Sequence, residues 1–408
     1  MVIVARDFKT SSWIEIEIRN GIIAAVRPGD GPAERSPNDD WVGPAFWDIQ
    51  LNGRWGHSFS SPELTAEHVV AIVRAQGSLG TARLCPTLIT APPGQMLHSV
   101  RTIAAACEAD PETARKVLGI HLEGPFLSHR EGYRGAHRAD ALRDPDIDLF
   151  DELQDASGGR IVLLTLAPER PGARELIARA SRSGVVIALG HTAADGPTIQ
   201  DAVAAGAKLS THLGNGIAAQ LQRHPNPIWH QAADDALFAS LIADGHHLDC
   251  ATLRVLARAK GPERLILISD ASPLAGLPTG TYGPWDVDPS GRIVVAGTPY
   301  LAGSNRPLAT GVGNLMAAVS WPIAEVLGTV TRNPALLFGR LPPELEPGQP
   351  ASLVVFHHRA PDEFILTRTV VDGVWHESAT RGRKAMPYVL RHFLVGHGVH
   401  RLTEHQQQ

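Results

Sequence analysis

Four short segments each close an apolar run on a side chain able to ligate a cation or move a proton: HLEGP on Glu123, LGHT on His191, THLGN on His212 and ISDAS on Asp270. Glu123, His191 and His212 offer one carboxylate and two imidazoles. That donor set leaves a coordination position open for water, as a catalytic zinc site requires and a closed structural site does not. Asp270 adds a carboxylate that could take a proton from water as it attacks and return it to a departing nitrogen, acting first as base and then as acid. An Asp before Ala-Ser would equally suit an N-cap. A lone buried His or Glu is commonly a structural hydrogen-bonding group, but four at the same point of four apolar runs read together as a hydrolytic metal centre. Cys85, Cys107 and Cys250 lack paired spacing, which argues against a disulfide framework and a cysteine-based zinc site and leaves nitrogen and oxygen as ligands.

Residues this far apart in sequence meet only if a fold gathers the ends of several strands onto one face, as a closed parallel barrel does. From Gly43 onward eight short apolar runs alternate with helical patterns: PAFWDIQLNG, TARLCPTLIT, KVLGIHLEG, IVLLTLAPE, GVVIALGHT, AKLSTHLGN, ALFASLIADG and RLILISD. Between them, ELTAEHVVAIVRAQ, ARELIARASRSG and TIQDAVAAG carry apolar residues at three- and four-residue spacing and often close on Gly, as helix C-caps do. The pattern predicts an α/β fold, a TIM-type (β/α)8 barrel, with every chemical candidate at the C-terminal end of its strand. At the N-terminus, WIEIEIRNGIIAAV (13 to 26) is an alternating strand, an Asn20-Gly21 turn and a second strand. ASLVVF (351 to 356), FILTRTVV and an Asp372-Gly373 turn before VWHE repeat that pattern near the other end. The expected organisation is a small β-sandwich domain from residues 1–42 plus 345–408, with a barrel of residues 43–344 inserted into it.

The chain has 408 residues, 43% hydrophobic and 19% charged, enough for one large core. A formal net charge of −5 gives no basic surface for nucleic acid or an anionic membrane. The expected partner is a small molecule. No secretory signal pattern and no 18-residue apolar run is present, so the expectation is a cytoplasmic protein.

HLEGPFL followed by RGAH, then GHT, THLGNG, IADGHHLD, SDASPLAG and LAGSNRPL, in that order and at those intervals, resembles the N-acetylglucosamine-6-phosphate deacetylases of the amidohydrolase superfamily. The stretch from Gly43 to Gly53 resembles the family's first barrel strand, and the flanking β segments resemble its split accessory domain. Where the superfamily often carries His-x-His, this chain reads Gln50-Leu51-Asn52. Neutral amides are poor zinc ligands. The resemblance therefore implies the variant with one divalent ion per subunit, zinc by preference, and Gln50 and Asn52 are expected to hydrogen-bond inside the barrel mouth.

The resemblance further implies that His247, rather than His246, contacts substrate near the scissile amide, and that His137 faces the sugar. Asn215 and Gly216 would present amides to the ligand, Leu301-Ala302-Gly303-Ser304 would line the pocket, and Arg223 stands at the family's phosphate-binding position. It also implies a homodimer, in which Arg223 can reach the neighbouring subunit's pocket. Arg223 lies in Gln222-Arg223-His224-Pro225-Asn226, where relatives more often continue Glu-Pro-Gly. The leading expectation is hydrolysis of an N-acetyl amino sugar 6-phosphate to acetate and the free amine. The alternatives are the same chemistry on an unphosphorylated or other N-acyl compound, and a catalytically silent barrel scaffold. The closing stretch RGRKAMPYVLRHFLVGHGVHRLTEHQQQ begins as a possible basic helix on the accessory domain.

Overall fold

A computed structural model describes residues 1–379, apart from 33, 35 and 360–362; the C-terminal basic stretch lies outside the described residues. Seven strands from the two chain ends form one hydrogen-bonded sheet, the form taken by the expected accessory β-sandwich. Val2–Asp7, Trp13–Arg19, Ile22–Pro28 and Asp40–Pro44 come from the N-terminal side, and Leu353–Arg359, Glu363–Val371 and Val374–Glu377 from the C-terminal side. The two sets join where Asp40–Pro44 pairs antiparallel with Leu353–Arg359. The expected boundary after residue 42 thus falls inside a strand, and the chain enters the barrel only beyond Pro44.

Both predicted turns form. Asn20 and Gly21 have φ of 51° and 79°, Asp372 and Gly373 of 47° and 82°, the left-handed values a type I′ turn demands. The turns abut: the Gly21 carbonyl accepts from Ala351 N at 2.8 Å and the Ala351 carbonyl from Gly373 N at 2.9 Å. Asp372 then ties this corner to the barrel through Arg83 at 2.9 Å and Arg115 at 3.3 Å.

All eight predicted barrel strands are present: Phe46–Leu51, Thr81–Ile89, Ile120–Glu123, Ile161–Leu166, Val186–Leu189, Ala207–Ser210, Phe238–Ile242 and Leu265–Ile268. They pair in chain order in one parallel eight-stranded sheet. The fifth and eighth strands are entirely buried, as the continuous apolar runs VIAL and LILI require when helices cover one face and the barrel interior the other. The seam between the eighth and first strands closes just past their ends, where Asp270 N donates to Gln50 O at 3.0 Å and Asn52 N to Ala271 O at 2.9 Å. The predicted helices appear at Ala66–Ala75, Ala173–Arg182 and Gly196–Ala205. After the eighth strand the chain makes a small antiparallel sheet, Gly280–Tyr282, Trp285–Val287 and Ile293–Val295, to which sequence analysis assigns no element.

A Cβ at Gly373 would lie 2.4 Å from Gly21 Cα, in a left-handed backbone. Gly373→Ala should therefore cost about 1–3 kcal/mol, read as a lower urea midpoint. Gly94→Ala, in open space on a helix, should leave the midpoint unchanged or raise it.

Candidate metal centre

The site residues leave their strands in a repeated way. His191, His212 and Asp270 each stand two positions beyond the last residue of the fifth, sixth and eighth strands, and their φ values are 51°, 31° and 46°. Left-handed backbone in residues with a Cβ costs on the order of 1–3 kcal/mol and persists where surrounding structure imposes it. Glu123 is the final residue of the third strand.

These residues converge. The ligand atoms of Glu123, His191 and His212 all lie within 4.8 Å of one another, and all three residues are buried. His212 Nε2 is 2.9 Å and His191 Nε2 3.3 Å from Glu123 Oε1. His191 Nδ1 lies 2.9 Å from the Tyr133 carbonyl, which holds a proton on Nδ1, so that Nε2 is the nitrogen that would face a cation once its own proton is lost. Two glycines with positive φ pack on the same ring: a Cβ at Gly216 would lie 2.7 Å from His191 Nδ1, and one at Gly135 3.1 Å from Cε1. Gly216 is thus set against the His191 ring. His212 Nδ1 is buried with no hydrogen-bond partner. One oxygen and two imidazole nitrogens at this spacing fit a divalent cation.

Gln50 and Asn52 hydrogen-bond as expected. Gln50 Nε2 donates to Glu123 Oε1 at 2.9 Å and to Asp270 Oδ1 at 3.2 Å, and Asn52 Nδ2 donates to the same Asp270 oxygen at 2.7 Å. The next helix after Asp270 begins only at Leu308, so Asp270 is not an N-cap. Burial, reinforced by the negative charge of Glu123, pushes the Asp270 carboxyl up to about 7. Burial would also raise Glu123, but hydrogen bonds from His191 and His212 outweigh it and hold that carboxyl well below the usual range. For His212 burial opposes the charged ring, yet the hydrogen bond to Glu123 and that residue's charge raise it above its ordinary value.

His137 joins the cluster, with Nε2 at 4.0 Å from Glu123 Oε1 and Nδ1 at 2.9 Å from Thr90 Oγ1. Burial, with the neighbouring His191, pushes it down to about 3, so it is neutral. Asn215 Nδ2 is buried without a partner, a donor left available to a ligand. Arg223 is exposed, and its carbonyl accepts from Asn226 Nδ2 at 3.4 Å. It does not join the cluster within this subunit, because the loop following His212 runs out to the surface before reaching it.

The partner of His247 was not legible in the sequence. His247 Nδ1 is 2.9 Å from Asp244 Oδ2, which also accepts from Ser304 Oγ at 2.8 Å. The signal was an acid three residues before the histidine, in a loop where such spacing is commonplace.

A profile of the amidohydrolase family matches residues 41–376. The chain is 34% identical over 355 residues to human N-acetylglucosamine-6-phosphate deacetylase, covering 83% of this chain and 85% of that protein. It is 30% identical over 362 residues to N-acetylgalactosamine-6-phosphate deacetylase of Escherichia coli O157:H7, covering 86% and 94%. Among solved structures, an Asp-to-Ala mutant of the Mycobacterium smegmatis N-acetyl-D-glucosamine-6-phosphate deacetylase in complex with N-acetyl-D-glucosamine-6-phosphate superposes with a TM-score of 0.79 at 32% identity, covering 89% and 94%. The chain belongs to the amidohydrolase family and, within it, to the N-acetylglucosamine-6-phosphate deacetylases. It is a metal-dependent hydrolase of carbon–nitrogen bonds, which removes the scaffold alternative.

Cation binding should weaken with acidity, because His212 must lose its proton before Nε2 can ligate and Asp270 turns neutral below about 7. Affinity measured against a competing chelator should fall about tenfold per pH unit below 7 for each proton displaced. Gly216→Ala should displace the His191 ring and lower that affinity at least about tenfold, with the fold retained by circular dichroism.

Proposed function

We propose that this chain hydrolyses the acetamide of an N-acetyl amino sugar 6-phosphate of the N-acetylglucosamine type, releasing acetate and the free amine. The observation that carries this reading is the buried Glu123–His191–His212 cluster with Asp270 joined to it through Gln50. Glu123, His191 and His212 would hold one divalent ion, and the two-imidazole, one-carboxylate set suits zinc. Bound there, it would supply Lewis-acid polarisation of the acetamide carbonyl and a water acidic enough to be a nucleophile near neutral pH.

The protein's own groups do the rest. Asp270 takes a proton from the attacking water and returns it to the departing nitrogen. Its Oδ1 is engaged by two amide donors, which leaves Oδ2 to carry the proton. A carboxyl held at about 7 suits both halves of that transfer. His247 Nε2 meets the acyl oxygen, while His137 and Asn215 offer polar atoms to the sugar. Gly216 keeps the loop close against the ligand histidine.

The phosphate calls for an arginine. Arg223 is exposed beside the helix Pro227–Ala233, whose Trp229 is 47% exposed. An exposed cation and an exposed large apolar ring in the same short stretch of chain support a homodimer in which Arg223 serves the neighbouring subunit's pocket. Among the described residues, no helix is long and apolar enough to cross a membrane.

Acetate release from N-acetylglucosamine-6-phosphate, N-acetylgalactosamine-6-phosphate and the unphosphorylated sugars by zinc-loaded protein tests the reading. The phosphorylated sugars should be preferred by about a hundredfold or more in kcat/KM. Asp270→Asn should lose about 10²–10⁴ in kcat. Equal rates on the unphosphorylated sugars would favour the other N-acyl substrates, and an Asp270→Asn variant as active as the parent would remove Asp270 as the proton carrier.

A further inference from the structure

The seventh strand ends at Ile242, and Asp244 stands two positions beyond it. This is the step that carries His191, His212 and Asp270 into the site from the fifth, sixth and eighth strands. Asp244 occupies the equivalent place but touches none of them. It turns instead to the loop behind, where four donors converge on it. Its Oδ1 accepts from His246 N at 2.8 Å and His247 N at 2.9 Å. Its Oδ2 accepts from Ser304 Oγ at 2.8 Å and lies 2.9 Å from His247 Nδ1. The carboxylate is buried, 8% exposed, and no oxygen is left without a donor.

Burial by itself would raise this carboxyl. The hydrogen bond and charge of His247, with the two backbone N–H groups, overcome that and hold it far below the usual range. An ionised carboxylate only accepts. His247 must therefore bring the proton on Nδ1, and Nε2 becomes the ring atom available to a ligand. Ser304 adds a mechanical link, because its N–H donates to the Asp270 carbonyl at 2.8 Å and its carbonyl accepts from Ser272 N at 2.9 Å. Gly303 permits this close approach, since a Cβ there would lie 2.8 Å from the Asp270 carbonyl oxygen. The loop bearing the proton carrier and the histidine of the seventh strand are thus fastened to one serine.

We propose that Asp244 is a positioning residue of the hydrolysis, which with Ser304 fixes the Nδ1–H form of His247 so that Nε2 is aimed at the acyl oxygen in register with Asp270. The proposal rests on the functional reading above for the identity of the acyl group. The arrangement follows the logic of a carboxylate–imidazole pair, in which the acid orients the ring and touches no substrate. An asparagine at 244 would set an N–H2 group against donors that need an acceptor, and would release the ring.

The test uses the full-length, zinc-loaded protein and acetate release from N-acetylglucosamine-6-phosphate. Asp244→Asn should lower kcat by about a hundredfold or more, with KM and zinc stoichiometry changed less than about threefold. Ser304→Ala should lower kcat by about three- to tenfold. The double variant Asp244→Asn/His247→Gln should fall no further than His247→Gln alone, because a residue acting through another shows no additive loss. Nitrogen NMR of histidine-labelled protein, with His247→Gln for assignment, should show His247 protonated on Nδ1 in the parent and released from that form in Asp244→Asn. Parent-like kcat in Asp244→Asn, additive losses in the double variant, or a parent His247 without an Nδ1 proton would each overturn the proposal. The last result stands even if Asp244→Asn does not fold. A parent that releases acetate from no amino sugar phosphate would instead defeat the functional reading, while the tautomer measurement still decides the placement of His247.

Discussion

One oxygen atom organises this site. Glu123 Oε1 is buried among Gln50 Nε2 at 2.9 Å, His212 Nε2 at 2.9 Å and His191 Nε2 at 3.3 Å, contributions from the first, sixth and fifth strands. A buried carboxylate without partners is among the costliest arrangements in a protein. The fold must therefore bring at least three separate strands to one point before Glu123 can be left in the interior. Closure of the barrel does this, and its seam runs through the site: the backbone pairs that join the first and eighth strands are those of Gln50, Asn52 and Asp270.

Two carboxylates share Gln50, and their environments push them apart. Glu123, close to two imidazoles, stays ionised, as a cation ligand must; Asp270, whose buried position and proximity to Glu123 disfavour a second negative charge, holds a proton near neutrality. Separation of this kind between neighbouring acids is how one pocket obtains an electrostatic anchor and a proton carrier from the same chemical group. The neutral amides of Gln50 and Asn52 make it possible. A histidine or carboxylate in their place would add a ligand or a charge, whereas an amide donates to both acids.

Much of this was legible in the chain. Eight apolar runs with helical patterns between them identify the barrel because strand and helix periods are local properties, and the Asn20-Gly21 and Asp372-Gly373 turns are dictated by left-handed conformations few residues adopt. The buried cluster was also visible in the sequence, since Glu123, His191, His212 and Asp270 each stand at or just past the C-terminal end of an apolar run. The small sheet after the eighth strand escaped because its strands are only three residues long, too short for a period to register.

The identity of the reacting groups was thus set by the order of residues: which strand ends in an acid, which in an imidazole, and where an amide replaces a histidine. Their partnerships were decided only in three dimensions. That Asp244 meets both His247 and Ser304, that Gly216 abuts the His191 ring, and that Arg223 stands away from the cluster are relations settled by how loops are placed in space. Such contacts depend on how far each loop travels after its strand ends, which side-chain pattern does not encode and barrel closure does.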